Sequence, residues 1–133
     1  MILLDTNICI YLINRKPPAV LQRFRAYRAG EIGLSSIVAA ELAYGVAKSG
    51  SARNQQALEL FLAPLEIHPF DTQAIWVYGR LRATLEQQGT PIGAMDTLIA
   101  AHALALDATL VTHNTREFAR VPGLRLEDWA LAS

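Results

Sequence analysis

One repeated pattern limits the fold most: short apolar runs stopped by polar residues, with longer helical stretches between them. Met1-Ile2-Leu3-Leu4 stops at Asp5, Ile32-Gly33-Leu34 at Ser35, and Thr109-Leu110-Val111-Thr112 at His113, while Leu65-Glu66-Ile67-His68 runs up to Pro69. Runs this short suit buried strands rather than helices. Leu124-Arg125-Leu126 fits a last edge strand. Helices are expected over 6–14, from Pro17-Pro18 to about Ala29, from a Ser35 or Ser36 cap to about Lys48, over 52–62, from an Asp71-Thr72 cap to Gln88, and over 95–106. Pro at a helix start, Ser or Asp at a cap and Gly30 or Gly89 at a stop all agree with those bounds. Strands separated by helices of this length pair in parallel through crossovers. The expected fold is therefore a three-layer α/β/α domain with a central, mainly parallel sheet.

The 133 residues suit one domain spanning 1–133, and no repeat or linker-like stretch divides them. Hydrophobic residues make up 52% and charged residues 18%, which excludes a disordered tail and leaves apolar surface for a partner chain. Twelve Lys+Arg balance twelve Asp+Glu, so no global field steers the chain onto nucleic acid. Cys9 is the one cysteine, which excludes an internal disulfide and a cysteine-built zinc site; it reads as a small buried hydrophobe. The apolar run Ile8 to Ile13 is too short to span a bilayer, and the opening residues lack a basic leader. A cytoplasmic location is expected.

Four residues carry the candidate chemistry. Asp5 and Asn114 follow strand ends, where open α/β sheets collect their ligands, although both also suit helix caps. Glu41 lies on a helical stretch among Ile37, Val38, Leu42, Tyr44 and Gly45, where a carboxylate needs a partner or a solvent-reaching head. Asp96 opens the apolar stretch Leu98-Ile99-Ala100-Ala101, a place the helix dipole also favours for an anion. Three carboxylates and a carboxamide are hard oxygen donors, suited to Mg²⁺ or Mn²⁺ rather than zinc and to phosphodiester chemistry. His68 and His102 read as structural, whereas His113 borders Asn114; the histidines leave metal-free RNA cleavage open as an alternative. A non-catalytic partner-binding domain is the other. Between Thr6 and Gly30 the chain has Arg15, Lys16, Arg23, Arg25 and Arg28 and no acidic residue, a pattern suited to a phosphate backbone or to a solvated helix face.

The motifs themselves are specific in combination. Leu3-Leu4-Asp5-Thr6-Asn7, Ser35-Ser36 leading to Ala40-Glu41-Leu42-Ala43-Tyr44-Gly45, Gly89 to Asp96, and Leu110 to Phe118 resemble, in order, the PIN-domain family and in particular VapC-type toxins. Val121-Pro122-Gly123-Leu124 and Glu127-Asp128-Trp129 are similar to the same group. The resemblance implies a Mg²⁺- or Mn²⁺-dependent endoribonuclease that inhibits growth, forms a homodimer and is neutralised by a VapB-like antitoxin. It assigns metal binding to Asp5, Glu41 and Asp96. The fourth acidic position of many PIN domains falls on Asn114, a departure that bears on whether a second metal is held. Thr6, Asn7 and Thr112 match supporting polar positions, and Arg15, Lys16, Lys48 and Arg116 are the expected RNA contacts. Relatives in the family often cut structured RNA, tRNA included.

Overall fold

A computed structural model of the chain describes residues 1–28 and 30–131. Its strands are β1 (Ile2–Leu4), β2 (Ile32–Ser35), β3 (Glu66–His68), β4 (Thr109–Val111) and β5 (Arg125–Glu127). They form one sheet in the order β3-β2-β1-β4-β5, with every pairing parallel. The helices are α1 (Thr6–Asn14), α2 (Pro18–Arg25), α3 (Ser36–Ser49), α4 (Ala52–Leu62), α5 (Thr72–Gln87), α6 (Ala94–Ala105) and the single turn α7 (Thr115–Phe118). Layers of helix cover both faces of the sheet, giving the expected α/β/α sandwich.

The strand composition follows from that position. Every residue of β1 and β2 is buried, because a parallel sheet covered on both faces leaves no wet side. The edge strand β3 is more exposed, with Ile67 42% accessible. At the centre of β2, Gly33 leaves room for the neighbouring strand: a Cβ there would stand 2.9 Å from the His68 ring and 3.0 Å from the Glu66 carbonyl. The core joins Leu3, Leu4, Ile8, Leu34, Val38, Ile99 and Leu110 to Phe118 and Trp129, all nearly inaccessible. Burying side chains of this size contributes roughly 1.5–3 kcal/mol each.

Local caps agree with the sequence reading and sharpen it. Ser35, not Ser36, caps α3: its Oγ accepts from the Ile37 amide at 3.1 Å. Asp71 caps α5 through the Ala74 amide at 3.0 Å. The boundary displaced furthest is the end of α2. Val20, Phe24 and Tyr27 have helical spacing, but the helix stops at Arg25, and the expected terminus at Ala29 lies outside the described residues. Tyr27 instead stacks on the Trp129 ring, with centroids 5.4 Å apart, so a tertiary aromatic contact replaces the last helical turn. The final strand begins one residue later than expected, at Arg125.

Candidate active site

The strand order places β1 next to both β2 and β4, so the chain leaves the carboxyl end of β1 between crossovers to opposite sides. That is where an open α/β sheet leaves a crevice. Asp5 stands at this point, 6% exposed, with its amide donating to the Val111 carbonyl at 2.8 Å. Its Oδ1 accepts from the Thr6 amide at 2.8 Å, capping α1, and its Oδ2 accepts from the buried Thr112 hydroxyl at 2.7 Å. Burial pushes the Asp5 carboxyl above its ordinary pKa, and these two hydrogen bonds oppose the shift.

Thr6 links Asp5 to the second carboxylate. Its hydroxyl donates to Glu41 Oε1 at 2.7 Å, across 35 residues of sequence. Glu41 lies in mid-α3, half-buried, with Leu42 buried beside it. The Glu41 carboxylate therefore has a specific partner at the mouth of the site and is no mere solvent-facing side chain.

Asp96 is the third residue of α6, in the helix's first turn; Gly93, without a side chain to bond, occupies the cap. Its carboxyl is raised to about 7, first by desolvation and then by Glu117, Asp5 and Glu41. Glu117 is the residue that sequence reasoning missed. Its Oε1 accepts from the Gly93 amide at 2.9 Å and its Oε2 from the Asn114 side-chain amide at 2.7 Å. These bonds hold Glu117 below the usual carboxylate range, so in the Asp96–Glu117 pair the proton resides on Asp96. A Cβ on Gly93 would lie 3.6 Å from Asp96 Oδ2 and 3.8 Å from Glu117 Oε1, which locates both oxygens over the same backbone. The signal available in sequence was the i,i+3 spacing of Asn114 and Glu117 at the start of a helix.

Asn114, read from the sequence as a site residue or a helix cap, does not cap α7 through its side chain. Its amide nitrogen steers Glu117, and its backbone N–H donates to Thr112 Oγ1 at 3.0 Å. Asn7 Oδ1 accepts from the His113 amide at 3.4 Å. Thr6 and Thr112 thus bond the acidic residues directly, whereas Asn7 bonds the backbone beside them. Arg15, Lys16, Lys48 and Arg116 are all exposed. Arg23 is already occupied, pairing with Glu127 at 3.0 Å and lying 5.8 Å from the Trp129 centroid, which subtracts one charge from the basic run. His102 is buried with Nδ1 2.7 Å from Ser35 Oγ, and His68 packs at Gly33, so both serve the scaffold.

Asp5, Asp96 and Glu117, with the Glu41 charge acting on the first two, form a site in which an anion is costly and a hard cation welcome. Among the described residues, no three of His, Cys, Asp or Glu stand close enough together to share one coordination sphere. The all-oxygen donor set and the proton trapped on Asp96 both fit Mg²⁺ or Mn²⁺.

A three-layer parallel sandwich with acidic residues gathered beyond β1 is the architecture of a PIN domain. The PIN domain model matches residues 2–124, and the chain belongs to that family. Its relatives are VapC proteins. It is 49% identical over 129 residues to ribonuclease VapC2 of Rickettsia felis, covering 96% of each chain. It is 44% identical over 128 residues to the tRNA(fMet)-specific endonuclease VapC of Salmonella typhimurium, again with 96% of each covered. Among solved structures, a VapBC2 complex from Rickettsia felis bound to a promoter DNA fragment superposes with a TM-score of 0.88 at 48% identity, over 97% of this chain and 99% of that one.

Proposed function

We propose that this chain is the toxin of a VapBC-like pair: an endoribonuclease that hydrolyses RNA phosphodiester bonds with Mg²⁺ or Mn²⁺ and thereby stops translation and growth. The observation that carries the reading is the convergence of Asp5, Glu41, Asp96 and Glu117, from four separate segments, on one another's electrostatic field. Family membership supplies the reaction class, since the relatives bear ribonuclease names.

Asp5, Glu41 and Asp96 would hold the cation, with Glu117 as a fourth carboxylate and Asn114 through its oxygen. When bound, the cation supplies an acidified water and charge to offset the phosphate. The chain's own residues do the rest. Thr112 and the Thr6 amide hold Asp5 in one orientation, the Thr6 hydroxyl fixes Glu41, and Gly93 and Asn114 fix Glu117. Asp96 keeps a proton near neutral pH, which the cation must displace. Arg15, Lys16, Lys48 and Arg116 offer exposed charge to the RNA backbone.

An antitoxin has a place to bind. A groove of about 240 Å³ between α1, α3 and α4 is lined by Ile10, Ile13, Leu42, Val46 and Leu58 and opens at Thr6 and Glu41. A VapB-like segment lying there would cover the apolar surface and the mouth of the site together. A homodimer is part of the same reading. No described helix is long and apolar enough to cross a membrane, and the proposed location is the cytoplasm.

The test is cleavage of purified RNA, initiator tRNA first, by the purified chain. Activity should require Mg²⁺ or Mn²⁺, disappear in excess EDTA and disappear in Asp96→Asn. Full activity in EDTA would instead support the histidine-based alternative. Induction alone should arrest growth, and co-expression of the cognate small antitoxin should restore it. A chain that neither cuts RNA nor arrests growth would support the non-catalytic one.

A further inference from the structure

α1 presents two different faces to its surroundings. Thr6, Ile10, Ile13 and Asn14 line the apolar groove. Asn7 and Tyr11, spaced i and i+4, follow another line along the helix. On that second line Tyr11 meets His113 edge-to-face, with ring centroids 6.0 Å apart and planes at 66°. His113 is anchored on its other side by Asp128, whose Oδ2 lies 2.9 Å from Nδ1 and whose Oδ1 accepts from the Ala130 amide at 2.9 Å. A carboxylate only accepts, so Asp128 fixes both the ring plane and the proton on Nδ1. The Asp128 side chain is 5% exposed, whereas that of His113 is 47% exposed. A rigid aromatic ring therefore stands half in solvent with no function in the fold that its exposed half serves.

Its position relates it to the acidic cluster. His113 lies between Thr112, which holds Asp5, and Asn114, which holds Glu117, and its own amide bonds Asn7. Beyond Tyr11 the helix ends at Asn14, and exposed Arg15, its left-handed C-cap, and Lys16 follow directly. We propose that Tyr11 and His113 form a nucleobase wall, on which the unpaired base next to the cleaved phosphate stacks, while the RNA backbone continues toward Arg15 and Lys16. The inference deepens the ribonuclease reading and rests on it. It names the substrate class as single-stranded or looped RNA, because a base inside a duplex has no free face to offer. Stacking on aromatic rings tolerates any base, so the wall selects for an unpaired nucleotide rather than a particular sequence.

The experiment uses the full chain in EDTA, with a short single-stranded oligoribonucleotide carrying 2-aminopurine. Stacking should quench the fluorophore, and His113→Ala and Tyr11→Leu should each remove most of the quench and weaken binding at least about fivefold. His113→Tyr, which restores a ring, should recover it. In cleavage assays with Mg²⁺ the loss in His113→Ala should fall on KM more than on kcat. An abasic nucleotide beside the cut should cost the wild type a similar factor, a comparison that needs no variant, and should cost His113→Ala nothing further. If the wild type cleaves RNA while abasic and intact substrates behave alike, or the Ala variant binds as well as the wild type, the wall is refuted. If the wild type cuts no RNA with any divalent cation, the ribonuclease reading fails instead, and quenching in EDTA still reports whether the wall takes a base.

Discussion

Asp96→Asn should make the metal-free protein more stable while abolishing its activity. An ordinary aspartate titrates near 3.8, and desolvation with the neighbouring carboxylates brings Asp96 to about 7. At 1.36 kcal/mol per pKa unit that difference corresponds to about 4 kcal/mol. Asp96 is half-exposed, so solvent screening reduces it to about 2 kcal/mol, and the opposite shift of Glu117 offsets part of the remainder. The sign follows from proton binding. Below pH 4 folded and unfolded chains both carry the proton and the residue contributes nothing. Between pH 4 and 7 the unfolded chain ionises first, so the folded wild type loses stability progressively, and above 7 the full penalty remains. Asparagine keeps the shape and cannot ionise. Urea denaturation in EDTA should therefore give equal midpoints at pH 4 and a variant more stable by about 1–2 kcal/mol at pH 8. Added Mg²⁺ should stabilise the wild type and leave Asp96→Asn nearly unmoved. A variant less stable than wild type at pH 8 in EDTA, or a difference that does not change with pH, would refute the electrostatic account of the site.

Three further outcomes follow from neighbouring contacts. Thr112→Val removes a donor to Asp5 Oδ2 and an acceptor for the Asn114 amide inside the buried site, and should cost about 2–4 kcal/mol by urea denaturation at pH 7, with Thr112→Ser close to wild type. Glu117→Gln should bring the Asp96 titration, followed by NMR of the carboxyl carbon, back toward 3.8 and lower RNA cleavage at least about tenfold. Asn114→Asp sets a carboxylate against Glu117 Oε2 in place of the 2.7 Å amide bond; it should destabilise the metal-free chain at pH 8 yet lower the half-saturating Mg²⁺ concentration for cleavage.

The chain's residues determine the layered architecture by themselves. Apolar runs of three or four residues have no use except in a sheet covered on both faces, and helices between them force parallel pairing. Asp5, Glu41 and Asp96 were legible for a related reason: each sets a charge beside apolar neighbours, where a carboxylate calls for a partner. What they partner was decided in three dimensions. Glu117 reads as an ordinary first-turn acid until the fold brings the Gly93 amide, 24 residues away, to its Oε1 and Asp96 to its side. Asn114 reads as a ligand or a cap, and only the placement of Glu117 makes its amide nitrogen the end that counts. Helical periodicity extended α2 past Arg25 because Tyr27 has the right spacing, but the stacking partner Trp129 lies more than a hundred residues on. The His113–Asp128 pair likewise exists only because β4 and β5 are neighbours in the sheet. Periodicity and caps are local and act through the nearest turn of chain, whereas a carboxylate's pKa and a ring's orientation depend on whatever the fold brings within a few ångströms.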